Sequence, residues 1–220
     1  KLRLIWFMNL VKSTGTFGFY TIISRLLGYL RDILIAIFLG TTFLADVFFV
    51  AFRIPNTFRR LFAEGSFNAA FVPSYSSELA TKRNNAKRFA NDVFNILILG
   101  LLILIVIIEI FMPTFIYLIA PGFYEDQSKL ELTTLLTRIT FPFLLFISMA
   151  SFFSAILNSN NKFGIAAAAP IILNIILIFI LYLSKKTDDN LVVYLSYGVS
   201  IAGLVQLIFV YHFAKKYFSP

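Results

Sequence analysis

The sequence predicts an all-α integral membrane protein, built as a bundle of six transmembrane helices. Hydrophobic residues make up 59% of the 220 residues and charged residues only 14%. Soluble domains average about 45–50% and about 25% respectively, and a soluble fold of this size has too little interior for so much apolar surface. The chain also contains six apolar stretches, each long enough to cross a bilayer as a helix.

The six predicted spans follow one another with short polar connections. They cover residues 14–39, 47–72, 93–119, 132–156, 163–183 and 191–213. Residues 1–12 are predicted to be a cytoplasmic segment, and residues 13–216 the six-helix unit. In the second span, Pro55 predicts a kink or break near Arg53, because proline removes a helical hydrogen bond. Residues 74–88 are predicted as the longest cytoplasmic connection, with room for a short surface helix. A tight turn is predicted at residues 158–161.

The distribution of basic residues predicts the orientation in the membrane. With the N-terminus placed in the cytoplasm, the inside segments carry ten Lys and Arg residues and the outside loops carry three. This asymmetry follows the positive-inside rule and predicts that both termini are cytoplasmic. It also accounts for the net charge of +8 without a nucleic-acid partner.

The composition excludes several classes of chemistry. The chain has no Cys and one His, so disulfide frameworks and Cys- or His-rich metal sites are excluded. No pairing of a nucleophile with a base and no Gly-rich phosphate loop stands out. We therefore expect neither an enzyme nor a bound cofactor.

The first two predicted spans carry charges at membrane depth, where each costs at least about 2.5–3.5 kcal/mol. Arg25 lies about 16 Å into its span at the helical rise, which is near mid-bilayer. Five arginines face three acids, and this surplus predicts an anionic partner in a water-filled cavity. Arginine suits a phosphate, since its guanidinium binds oxygens bidentately. The set comprises Arg25, Arg31, Arg53, Arg59 and Arg60 with Asp32, Asp46 and Glu64.

Internal pairing of these charges is the alternative interpretation. Arg25 and Asp32 are seven residues apart and share a helix face, with Gly28 between them to admit a close neighbour. Arg60 could pair similarly with Glu64. Asn174, a lone amide four residues after Pro170, either satisfies a carbonyl that the proline frees or lines the cavity.

Further from the cluster, Glu109 and Arg138 are predicted to lie at the membrane interface, where charged side chains reach the headgroups. They are not counted among the candidate site residues.

Several motifs resemble one known family. The segments are SRLLGYLRD at 24–32, DVFFVAFRIPNTFRRLFAEGSFNAAFVP at 46–73, APGF at 120–123, TRITFP at 137–142 and AILN at 155–158. Together they resemble the MurJ (MviN) family, the bacterial lipid II flippases of the multidrug/oligosaccharidyl-lipid/polysaccharide exporter superfamily. The likeness extends from Met8 to about Lys216. Ala166, where members often have proline, and Glu109, where they often have an apolar residue, are small departures.

The resemblance implies a function and a set of site residues. Members move lipid II, an undecaprenyl-pyrophosphate-linked disaccharide-pentapeptide, to the outer leaflet of the bacterial cytoplasmic membrane for peptidoglycan synthesis. They work by alternating access between two six-helix lobes around a cationic cavity. The implied arginines are Arg25, Arg31 and Arg59, with Arg60 beside them. The implied polar and acidic positions are Ser24, Asp32, Asp46, Asn56 and Glu64, and we add Asn174 from its place in the fifth span.

Family members are about twice as long as this chain and add a second lobe. The sequence is therefore expected to represent the N-terminal lobe alone, with a separate C-terminal lobe or a second copy as partner. One alternative is a half-transporter or membrane interaction module that moves nothing by itself. Another is a related polysaccharide or multidrug exporter, against which the FAEG-containing motif argues.

Overall fold

The computed structural model describes residues 2–59, 66–123, 125–184 and 190–218, with side chains from residue 15 onward except those of residues 59 and 66. Within these ranges the chain forms α-helices and one 3-10 turn at Pro121–Phe123, and no strand. The all-α class is therefore confirmed. The helices are α1 Leu2–Leu39, α2 Phe43–Arg59, α3 Ser66–Thr81, α4 Arg83–Ile110, α5 Met112–Ile119, α6 Gln127–Thr140, α7 Pro142–Ser159, α8 Phe163–Leu183 and α9 Leu191–Ala214.

Four helical segments of the described chain are long and apolar enough to cross a membrane. They are α4, the nearly continuous pair α6 and α7, α8, and α9. They correspond to the third to sixth predicted spans, and α8 has the same bounds as the fifth. The first two predicted spans fall on α1 and on α2 with α3, which are not in this group; α2 and α3 are 17 and 16 residues long. That these two also cross the membrane stays a prediction.

The connection predicted at residues 74–88 is largely helical instead. Helix α3 continues to Thr81, and α4 begins at Arg83. Only Lys82, in an extended conformation with φ −152° and ψ 132°, separates them. The buried ring of Phe71 on α3 lies 5.8 Å from the ring of Phe89 on α4 and 5.2 Å from that of Phe152 on α7, so this segment packs against the bundle.

Of the kink or break predicted near Pro55, the break is wrong, because α2 runs through the proline to Arg59. A proline leaves the carbonyl four residues earlier without its helical donor. Here that carbonyl belongs to Ala51, and the side chain of Thr140 on α6 donates a hydrogen bond to it across 2.9 Å. A neighbouring helix thus supplies the missing donor, which is how prolines are tolerated within membrane helices.

Helix α9 lies at the centre of the bundle, packed against α6, α7 and α8, while α1 lies along α8. Two glycines let the central helices approach closely. A Cβ at Gly198 would overlap the end of the Ile180 side chain, and one at Gly203 would lie 2.6 Å from the ring of Phe143. The predicted turn between α7 and α8 is confirmed, with Asn161 in the left-handed region at φ 59°.

The outer faces of the bundle are apolar. Helix α4 exposes a row of large aliphatic side chains, and α1, α8 and α9 expose others. On α4 the row includes Ile96, Leu99, Ile103, Ile107 and Ile110. A soluble monomer does not expose so much contiguous apolar surface, whereas lipid chains would cover it without cost. This pattern agrees with a bundle embedded in a bilayer.

Candidate functional site

A cavity of about 420 Å³ lies between α1 and α2, on the part of the chain that carries the charged motifs. Its wall combines charged, amide and hydroxyl groups with aromatic rings. The lining residues are Arg31, Asp32, Phe49, Val50, Phe52, Arg53, Asn56 and Thr57. Two guanidinium groups and one carboxylate face this space, so the described wall carries a net positive charge.

Arg31 is held in place by three partners. Its Nε and Nη2 atoms donate hydrogen bonds to Oδ1 of Asp32, at 3.0 and 2.7 Å, and Nη1 donates to Oδ1 of Asn174 at 2.8 Å. The guanidinium carbon also lies 5.4 Å from the centre of the Phe52 ring, a cation–π distance. Only 13% of the Arg31 side chain is exposed. These contacts fix the guanidinium at the cavity wall, with three of its five N–H groups already used.

Asn174 joins α8 to α1 at two points. Its Nδ2 donates to the backbone carbonyl of Ser24 at 3.0 Å, and its Oδ1 accepts from Arg31. The side chain passes beside Gly28, where an added Cβ would lie 3.6 Å from Nδ2. Asn174 is 5% exposed and is not part of the cavity wall. In this structure the amide therefore bridges two helices, a role that neither interpretation from the sequence included.

Arg25 and Asp32 share the face of α1 that their spacing predicts, about 10 Å apart along the axis. They do not pair with each other, because Asp32 is bound to its neighbour in the chain, Arg31. Among the described residues, Arg25 forms no hydrogen bond or ion pair, and its side chain is exposed. Arg25 does not line the described cavity.

The remaining predicted residues are distributed unevenly. Asn56 lines the cavity. Asp46 lies in the first turn of α2, away from the cavity, with its Oδ2 3.8 Å from Nζ of Lys129. Ser24 takes part through its carbonyl oxygen. Arg59 ends α2, but its side chain, together with all of Arg60 and Glu64, lies outside the described residues.

Four lining residues were not predicted from the sequence: Phe49, Val50, Phe52 and Thr57. Arg53 was predicted as one of the five arginines at membrane depth, although it is not among the residues that the resemblance implies. It is seven residues after Asp46 and four before Thr57, on one face of α2. Phe52 gives no such signal. Its ring meets Arg31 only because α1 and α2 pack together.

Outside the cavity, Glu109 and Arg138 form a second charged pair. Nε of Arg138 lies 3.8 Å from Oε2 of Glu109, and Nη2 donates to the Glu109 backbone carbonyl at 3.5 Å. The pair links α4 to α6 and is not part of the cavity wall, so Arg138 can serve as a basic control residue.

Comparison with known proteins shows the family. A family model described as "Lipid II flippase MurJ" matches residues 35–219. The chain belongs to the MurJ family. The resemblance of its motifs is thereby confirmed over most of its length, and the alternative of a polysaccharide or multidrug exporter loses its support.

Individual MurJ relatives agree with this assignment. The chain is 45% identical over 209 residues to the "Probable lipid II flippase MurJ" of Rhizobium tropici, covering 93% of this chain and 39% of the relative. The Rickettsia prowazekii protein of the same name is 39% identical over 210 residues, covering 95% and 41%. A solved structure titled "Lipid II flippase MurJ, inward closed conformation" superimposes with a TM-score of 0.76 at 31% identity, covering 87% and 40%. The chain thus spans about 40% of the length of these MurJ proteins.

Proposed function

We propose that the chain forms one lobe of a lipid II flippase, which moves the undecaprenyl-pyrophosphate-linked disaccharide-pentapeptide from the cytoplasmic to the outer leaflet. The observation that carries the proposal is the cavity between α1 and α2. It presents the guanidinium groups of Arg31 and Arg53 within a bundle whose outer faces are apolar. A chain of the MurJ family with such a wall is suited to hold a charged lipid headgroup while the lipid tail stays in the bilayer.

The chemistry of the wall favours a pyrophosphate. Guanidinium groups bind phosphate oxygens bidentately and are more weakly hydrated than ammonium groups, so they suit a partly desolvated site. Asn56 and Thr57 add amide and hydroxyl groups beside them. Arg25, Arg59 and Arg60 are proposed as further contacts to the headgroup, and Asp46 and Glu64 as acids that balance them in other conformations. Ser24 and Asn174 act through Arg31, by fixing its orientation.

The mechanism that we propose is alternating access. Two bodies rock about a shared site, so that the cavity opens first to one side of the membrane and then to the other. The described helices supply one wall, and a second lobe or a partner chain supplies the opposite one. No covalent bond changes in the cargo, so the activity is transport rather than catalysis. The proposed location is the bacterial cytoplasmic membrane, with both termini in the cytoplasm.

The test uses a chimera that continues this chain with the remaining part of the Rhizobium tropici relative. Cells depleted of their own flippase would express the chimera, the 220-residue chain alone, or neither, and lipid II in the outer leaflet would be measured. We expect transport by the chimera and none by the chain alone. Correctly inserted chimera without outer-leaflet lipid II would contradict the proposal. Transport by the 220-residue chain alone would show that one lobe suffices and would contradict the two-body mechanism.

A further inference from the structure

Resting on the proposed function, we infer that Phe218 anchors the connection between this lobe and the second one. After α9 the chain turns back and inserts the Phe218 ring against α4 and α7. We call the segment 215–218 the C-terminal anchor. It lies outside the charged cavity, and Phe218 belongs to none of the motifs that indicated the family.

The C-terminal anchor is a turn with its own backbone hydrogen bonds. Helix α9 ends at the fully buried Ala214, whose carbonyl accepts hydrogen bonds from the amides of Tyr217 and Phe218, at 2.8 and 3.1 Å. Lys215 and Lys216 are exposed, whereas Phe218 is only 3% exposed. The chain therefore returns to the bundle after the helix instead of leaving it at Ala214.

The Phe218 ring completes a cluster of aromatic side chains. Its centre lies 5.3 Å from that of Phe94 on α4, and 5.8 and 5.3 Å from those of Phe152 and Phe153 on α7. Phe152 is fully buried and also lies 5.2 Å from Phe71 on α3. Aromatic rings at such separations stabilise a contact beyond the burial of their area. The ring thus ties the end of α9 directly to α4 and α7, and through Phe152 to α3.

This tie joins two parts of the bundle. Helix α9 packs against α6, α7 and α8, while α4 packs against α3, α5 and α7. Phe218 joins the end of α9 to α4 through Phe94. In the proposed two-lobe protein the chain continues from α9 to the second lobe, as it does in the chimera. A displacement of the second lobe is then transmitted to α4 and α7 at Phe218, and not to α9 alone.

Loss of the C-terminal anchor would make the connection longer and looser. Four residues span about 13–14 Å when extended, at about 3.3–3.6 Å per residue. A longer flexible connection defines the relative position of two linked bodies less closely. Alternating access depends on two bodies that rock about a shared site. Phe218 is therefore a positioning residue for transport, which acts through the connection and does not touch the cargo.

The first experiment tests whether the anchor is docked. The chimera in nanodiscs would be treated with trypsin, and cleavage after Lys215 and Lys216 would be followed by the release of a fragment of the size of this lobe. Cleavage of such a site tracks the population of its open form, so Phe218→Ala should be cut at least about 10-fold faster than the parent. Phe218→Leu, which keeps an apolar side chain in the cluster, should be cut more slowly than Phe218→Ala.

Phe213→Ala is the matched control. Phe213 is 42% exposed, and its ring contacts are with Phe209 and His212 of the same helix. This variant loses an aromatic ring at the end of α9 without opening the cluster, so trypsin should cut it at the rate of the parent. Thermal unfolding would establish that each variant is folded at the temperature of the assay.

The second experiment tests whether the anchor matters for transport. We expect the rate at which lipid II reaches the outer leaflet to fall at least about 3-fold in Phe218→Ala, because the connection is looser. Insertion of Gly-Ser-Gly-Ser after Phe218 in the parent loosens the connection while the aromatic cluster stays filled. It should slow transport similarly, with trypsin cleavage and thermal unfolding unchanged.

The outcomes separate this inference from the proposed function. If the correctly inserted parent chimera moves no lipid II, the proposed function fails, and the trypsin experiment alone decides whether Phe218 is an anchor. Equal cleavage of folded Phe218→Ala and parent would show that it is not. If the parent transports and the insertion variant transports equally fast, the proposed function stands. Phe218 then only packs this lobe, and its role in the connection is wrong.

Discussion

Thr140 donates a hydrogen bond from its hydroxyl to the backbone carbonyl of Ala51, with 2.9 Å between the oxygens. Ala51 is four residues before Pro55, so its carbonyl has no donor within its own helix. The hydroxyl also lies 3.1 Å from the carbonyl of Thr137, and Thr140 is fully buried. This contact joins α2, which carries six of the eight residues that line the cavity, to α6.

Replacing Thr140 with Val should therefore destabilise the protein while preserving the shape of the side chain. Hydrogen bonds between membrane helices contribute about 0.6 kcal/mol on average and up to about 1.7 kcal/mol. We expect a loss in this range in the free energy of unfolding, measured by reversible denaturation in detergent micelles.

Thr134→Val is the matched control. Its hydroxyl bonds the Leu130 carbonyl at 2.7 Å within the same helix, where a backbone N–H is also available. Loss of the Thr134 hydroxyl should lower the free energy of unfolding by clearly less than loss of the Thr140 hydroxyl. Equal effects would show that the contact with Ala51 has no special role.

Gly203 should be intolerant of even the smallest side chain. An added Cβ would lie 2.6 Å from the Phe143 ring and 3.2 Å from Cβ of Phe146. Phe143 is buried and cannot turn away, so Gly203→Ala should force α7 and α9 apart. Overpacking of this kind costs about 1–3 kcal/mol. Thermal unfolding of the purified protein would measure the loss.

Gly100→Ala provides the comparison for Gly203→Ala. Gly100 is also within a long helix, but nothing lies within 4 Å of its added Cβ. Alanine has the higher helix propensity, so this variant should be as stable as the parent or slightly more stable. Similar losses for both variants would contradict the packing argument.

The fold could be predicted as far as it depends on local composition. The apolar runs of α8 and α9 end at charged or turn residues, so their bounds were predicted to within a residue. The path of α2 could not be predicted, because it depends on Thr140, which lies 89 residues after Ala51 in the chain. Proline rules describe a helix in isolation, and here a second helix supplies the missing donor.

The residues that belong to the site could be predicted better than the contacts between them. The motifs led to Arg31, Asp32 and Asn56, all of which line the cavity. The pairing of Arg31 with its neighbour Asp32, rather than of Arg25 with Asp32, depends on Asn174 drawing the guanidinium toward α8. That contact joins residues 143 positions apart in the sequence. Side-chain spacing on one helix cannot indicate it.

The orientation of the bundle predicts opposite accessibility for two exposed positions. Asn84 lies in the first turn of α4, among the basic residues expected to be cytoplasmic, and Gln127 begins α6 in the segment expected to be outside. The chain has no Cys, so single cysteines report without background. In spheroplasts, an impermeant thiol reagent should label Gln127→Cys at once and Asn84→Cys only after permeabilisation. The reverse pattern would contradict the predicted topology.

The start of α6 should respond to acid. Hydrogen bonds from the side chain of Ser128 and the backbone N–H of Lys129 hold the pKa of Asp126 below its usual value of 3.8. A carboxylate with a lowered folded-state pKa stabilises the fold at pH values above the unfolded pKa, and this contribution disappears as pH falls through the folded pKa. We expect exchange of the Ser128 and Lys129 amides to accelerate below the usual carboxyl range, after correction for intrinsic exchange.

Asp126→Asn separates the charge from the capping contact. Asparagine also caps helix N-termini but does not titrate in this range. In Asp126→Asn, the Ser128 and Lys129 amides should keep the same corrected protection from exchange across the acid range. In Asp126→Ala, the same amides should be less protected at every pH. Acid sensitivity that persists in Asp126→Asn would assign the titration to another group.

The arginines of the first two helical segments should be essential for transport by the chimera. We expect alanine at Arg25, Arg31 or Arg59 to abolish growth of flippase-depleted cells while the protein still inserts, as judged by membrane-fraction blots. Arg31→Lys should restore growth only partly. A single ammonium group cannot reproduce the guanidinium fork that joins Asp32 to Asn174 while lying over Phe52.

Arg138→Ala serves as the control for these variants, since it removes a basic residue that pairs with Glu109 outside the cavity. Cells that depend on this variant should grow normally. Normal growth with alanine at all three tested arginines would contradict the assignment of the cavity. Full growth with Arg31→Lys would show that charge alone suffices at this position. The contacts from Arg31 to Asp32 and Asn174 would then matter for helix packing and not for transport.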